Sequence, residues 1–169
     1  MNSRNLFYVR NLQSKFYFQK NQIVKSLFFL ENYLFSLTKQ TEEELIVKIK
    51  IKWIYDQIAK GDFSNEITKN LKALNNKVFS KKVLDLIEFY SDSMSSPNNI
   101  EFLSIFNNFN KKFNNLLMLA KAKNFKSLSL FQLVQFQYIN NLDINYIMIN
   151  DCFTRIEKDL IDIFEFVFI

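Results

Sequence analysis

Three carboxylates, Asp85, Glu88 and Asp92, fall at i, i+3 and i+7, a spacing that places them on one face of a helix. Hard divalent cations take oxygen ligands, so a magnesium site is the sharpest chemistry these residues could support. A solvated helix face is the plainer and favoured reading, because Lys81 and Lys82 lie just before the acids and partly neutralise them. Asp159, Asp162 and Glu165 repeat the pattern more loosely. A second set, Lys50, Trp53 and Asp56, could offer a cation, a ring and a carboxylate to a ligand. A lone tryptophan beside an acid at i+3 is more often a core anchor whose indole N–H finds a polar partner. Cys152, between Asp151 and Phe153 with no base nearby, reads as an inert buried thiol.

Composition removes several other chemistries. The chain has no histidine and one cysteine, which excludes serine–histidine triads, histidine or cysteine zinc sites and an intrachain disulfide. One glycine and one proline in 169 residues are too few for the turns of a β-sandwich or for a glycine-rich phosphate loop. Long helices with short polar links are expected instead: an all-α, antiparallel helical domain covering residues 1–169. Twenty phenylalanines, with abundant asparagine and lysine, suggest the codon bias of an AT-rich genome, which concerns ancestry and not mechanism.

The elements that must position these residues centre on 41–61. Val47 to Trp53 alternate apolar residues with lysine, a strand-like pattern. Four helical signals outweigh it. Thr41 and Glu44 have the spacing of a capping box, and Gly61 stands where a helix stops in the left-handed conformation. Val47, Ile51, Ile54 and Ile58 form an apolar stripe, and Glu44–Lys48 and Asp56–Lys60 are acid-first i,i+4 pairs. Upstream, residues 5–19 direct Leu6, Val9, Leu12, Phe16 and Phe18 to a core. Residues 22–38 form a buried helix too interrupted by Lys25, Glu31 and Asn32 to span a bilayer. Downstream, Ser64 is expected to cap a short helix to Leu74, and Ser80 one to Ser93. Residues 92–99 make the clearest break. Residues 100–123 form a long helix with Phe102, Ile105, Phe106, Phe109, Phe113, Leu116, Leu117 and Ala120 along one stripe. Helices near 128–140 and 144–168 complete the domain.

Residues 49–58, IKIKWIYDQI, resemble the helix of the squalene/phytoene synthase superfamily whose pattern is Ile-Arg, two tryptophans, an acid and an aliphatic. Ile49, Lys50, Trp53, Asp56 and Ile58 fall in register, with lysine for arginine and Ile54 for the second tryptophan. Residues 26–37, 5–10, 83–94 and 109–122 are similar in order and spacing to neighbouring family helices, so the likeness covers about residues 5–123, with divergent helices at 128–168. It implies a shortened isoprenoid-synthase-like fold with Lys50, Trp53 and Asp56 at ligand-binding positions. Family enzymes condense prenyl diphosphates held by magnesium on two aspartate-rich helices. Here the first such position, near Tyr33 to Ser36, has only Glu31, and the second offers a lone Asp143. The resemblance therefore points to the non-catalytic branch that assists assembly of respiratory complex I, with no cofactor. The expected partners are protein subunits of a mitochondrial inner-membrane complex, reached from the matrix side. A magnesium-dependent prenyl-diphosphate-binding enzyme using Asp85, Glu88 and Asp92, a helical interaction module unrelated to the family, and a location in the cytoplasm of an AT-rich bacterium are the alternatives.

Charge is uneven along the chain. Arg4, Arg10, Lys15, Lys20 and Lys25 precede the first acid, Glu31, and account for the whole net charge of +5. Such a basic surface suits a targeting segment or contact with anionic lipid or an acidic subunit. The cations are spaced singly, which makes nucleic acid the weaker partner.

Overall fold

A computed structural model describes residues 14–15, 18–40, 43–93 and 99–122. Every regular element among them is helical, so the chain is all-α as expected. The sequence suggests a single domain over 1–169; by its contacts the chain groups into two compact units, Asn21–Lys123 and Met1–Lys20 with Asn124–Ile169. The expected helices near 5–19 (apart from isolated residues), 128–140 and 144–168 lie outside the described residues. So do Arg4, Arg10, Asp143, Cys152, Asp159, Asp162 and Glu165.

Four long helices form the Asn21–Lys123 unit: α1 (Gln22–Gln40), α2 (Glu44–Lys60), α4 (Lys77–Ser93) and α5 (Asn99–Leu119). A one-turn α3 (Glu66–Lys69) and a 3₁₀ turn (Lys72–Leu74) link α2 to α4. α2 packs on α1 and α4, α4 on α5, and α5 returns to α1. The aromatic residues join three of these helices. Phe35 of α1, Tyr90 of α4 and Phe109 of α5 lie 5.4 to 5.7 Å apart by ring centroid, within the range where tilted and edge-on rings attract. Phe113 stacks on Phe109 at 6.0 Å.

The helix ends follow local chemistry, in places not where it was expected. Gly61 ends α2 at φ 69°, with its N–H on Ile58 O and the Asp62 N–H on Gln57 O, the paired bonds of a Schellman motif. Lys121 does the same after α5 at φ 58°, with Lys121 N–H on Met118 O and Ala122 N–H on Leu117 O. The capping box from Thr41 to Glu44 does not start α2. Glu43 occupies the N-cap with no side-chain hydrogen bond there, Glu44 is the first helical residue, and Thr41 lies outside the described residues. Asn65, not Ser64, caps α3: its side chain accepts from Ile67 N–H at 2.9 Å while Thr68 Oγ1 accepts from Asn65 N–H. Ser64 is drawn to Asp62 instead. Asn76 rather than Ser80 starts α4, accepting from Val78 N–H at 2.9 Å. In both corrections the cap is an asparagine whose side-chain oxygen takes the amide two residues on, satisfying a donor the helix itself leaves open.

The stripe Val47, Ile51, Ile54 and Ile58 is fully buried, and so are Phe109, Phe113, Leu116 and Leu117 of α5. Phe18 is buried as expected. Glu31, read from the sequence as an interruption of an apolar run, is itself buried in α1. The side-chain oxygen of Asn32 is buried with no hydrogen-bond partner. No helix among the described residues is long and apolar enough to cross a membrane.

Candidate functional site

The three ligand positions suggested by resemblance, Lys50, Trp53 and Asp56, all lie on α2 and all are half-buried. Asp56 is already engaged: its carboxylate pairs with Lys52 at 2.9 Å, backward along the helix, and not forward with Lys60 as the i,i+4 rule suggested. The other expected pair is present, with Lys48 on Glu44 at 2.7 Å. Lys52 also lies over the Tyr55 ring at 4.7 Å. Its ammonium is held above the usual lysine range chiefly by the hydrogen bond to Asp56.

α2 and α4 enclose a cleft of about 230 Å³ with Ile51 and Ile87 at its base and Lys52, Tyr55, Glu88 and Asp92 around it. The geometry brings together two of the three carboxylates singled out on α4, Glu88 and Asp92; Asp85 is exposed and not part of the lining. Among the described residues, no three acidic or sulfur-bearing side chains gather closely enough to hold a metal ion. Two carboxylates facing one ammonium and one phenol make a small polar cleft suited to a cationic or hydrogen-bonding group.

A second feature lies on the outer side of α2. Leu45 is 70% exposed and Ile49 60% exposed, one helical turn apart, with Ile46 beside them. Sequence reasoning places Ile49 in the family motif and does not identify it as surface. The strand-like alternation of 47–53 is the available clue: on a helix, Ile49 falls off the face shared by Val47, Ile51 and Ile54. Of the basic residues, Lys15 and Lys20 are exposed and Lys25 half-buried. No family model matches this chain, and neither a curated protein nor a solved structure matches it.

Proposed function

We propose that this chain is a non-catalytic helical protein that binds other protein subunits. In its finer form the proposal is a squalene/phytoene synthase-like partner in the assembly or structure of a mitochondrial inner-membrane respiratory complex. The supporting observation is the apolar strip of Leu45, Ile46 and Ile49, on the same helix that carries the family-like motif. Large aliphatic side chains left open along one helix are an appropriate surface for another protein to cover. The polar cleft of Glu88 and Asp92 does not require a reaction for its presence: both acids lie on an exposed helix face, beside a Lys52 that is itself bonded to Asp56.

A second reading, a helical interaction module without kinship to that family, has one observation in its favour. Ser26 near the start of α1 bonds to Asn70 just ahead of α4, while Phe35 and Tyr90 meet toward the far ends of the same two helices. Asn21 at the start of α1 meets Ala120 at the end of α5. α1 and α4 therefore run together and α5 runs against them, the alternation of an ordinary four-helix bundle.

Affinity capture of the full chain from its native source tests the proposal. Respiratory inner-membrane subunits should be retained by the wild type and lost with Leu45→Glu plus Ile49→Glu. Retention of unrelated partners through the same strip would support the second reading and remove the first. Magnesium-dependent binding of farnesyl diphosphate, abolished by Glu88→Gln plus Asp92→Asn, would overturn both in favour of an enzyme.

A further inference from the structure

A cleft of about 470 Å³ lies between the first turns of α1 and residues 69–73. Lys25 and Phe29 stand on the α1 side, and Lys69, Asn70 and Lys72 on the other. The two walls are tied together. Ser26, 4% exposed, donates its hydroxyl hydrogen to the carbonyl of Asn70 at 2.6 Å. Leu71 and Leu74 are fully buried, which pins the second wall to the core. The cleft is therefore a built feature and not a gap between loose loops.

Its charge is one-sided. Among the described residues no carboxylate lines it, and Lys25, Lys69 and Lys72 form no ion pair. On α2 the contrast is plain, where Lys48 and Lys52 are each matched by an acid one turn away. The first turn of α1 has no acidic residue either, so the positive end of that helix adds to the field. Three ammonium groups around one concavity repel one another, and a multivalent anion relieves that repulsion. Lysine acts on phosphate as a point charge; the Asn70 side-chain amide donates one N–H to Glu66 O at 2.9 Å, which fixes its orientation and leaves its second N–H for a further oxygen. The volume leaves space beyond a phosphate group for the ester carbons, with the Phe29 ring as their apolar contact.

We infer that this cleft binds a phosphomonoester, either free in solution or as the headgroup of a lipid. The inference does not depend on the proposed protein partner. The full chain should be titrated calorimetrically with glycerol 3-phosphate, and sedimented with phosphatidylcholine vesicles with and without phosphatidic acid at one ionic strength. Binding to the soluble probe assigns the free ester; binding only to the phosphatidic acid vesicles assigns the headgroup. In either case Lys69→Glu and Lys72→Glu should each weaken it roughly tenfold, as expected for loss of one charge-assisted hydrogen bond. Lys82→Glu and Lys111→Glu, exposed on α4 and α5, should leave it unchanged. Lys69→Gln and Lys72→Gln repeat the test without reversing charge, should either glutamate variant fail to fold. Absence of binding in both arms would overturn the inference, as would an equal loss in the α4 and α5 variants, which would mean general surface charge alone.

Discussion

Tyr90 donates its phenolic hydrogen to the backbone carbonyl of Leu34 at 3.2 Å, from one buried helix to another. The same ring touches Phe35 and Phe109. One residue thus serves both as packing and as a polar tie across the core. Tyr90→Phe keeps the packing and removes the tie, and is expected to cost about 1 kcal/mol. Phe109→Ala leaves a cavity among the rings and should cost about 3–5 kcal/mol. Urea unfolding of the two variants separates these contributions, and equal losses would contradict the assignment.

The two left-handed helix ends predict changes of opposite sign. A Cβ on Gly61 would meet only ordinary contacts, the Asn75 side chain at 3.6 Å, so Gly61→Ala should cost about 1–2 kcal/mol from backbone conformation alone. Lys121→Gly removes the same strain and should stabilise the protein, by less than this because glycine also loosens the unfolded chain. Thermal unfolding of both variants checks the signs.

The faces of α2 can be told apart by substitution. Leu45→Glu and Ile49→Glu place charge on exposed positions and should change stability by no more than about 0.5 kcal/mol. Ile51→Glu, two positions on, places a carboxylate in the core and should prevent folding. Circular dichroism of the three variants is sufficient. A loss of helix in the first two would mean that their side chains are covered.

Asp62 accepts hydrogen bonds from the Ser64 hydroxyl at 2.7 Å and its N–H at 3.1 Å, the first being the larger reason its carboxyl is held below the usual value of 3.8. A carboxyl whose folded pKa is depressed favours folding while ionised, above its unfolded pKa. That contribution fades as the pH falls through 3.8 and then through the lower folded value. Ser64→Ala should raise the Asp62 pKa toward 3.8 and leave the neutral-pH fold unchanged. Carboxyl carbon shifts followed by NMR from neutral to acid pH report it directly.

The parts legible in the sequence were those governed by neighbours along the chain. Val47, Ile51, Ile54 and Ile58 announced their burial through spacing, and Gly61 its left-handed turn by standing just past the last residue of that stripe. Capping was less legible because Ser64 and Asn65, or Asn76 and Ser80, are all able to cap, and geometry decides which side chain reaches the open amides. Asp56 chose Lys52 over Lys60 for the same reason, both being one turn away. Glu31 interrupts an apolar run in the sequence, and its burial comes from helices distant along the chain. The basic cleft had no local signature. Lys25 stood out as one of five early cations, but Lys69 and Lys72 join it through folding, across more than forty positions.

Asn21 has a consequence for how this unit could be rewired. Its side-chain oxygen accepts from Val24 N–H at 3.2 Å at the start of α1, and its amide nitrogen donates to Ala120 O at 2.8 Å just past α5. The chain therefore enters and leaves the four-helix body at neighbouring points. The two points are near enough for a short glycine linker between residues 122 and 21 to join them in such a rewiring.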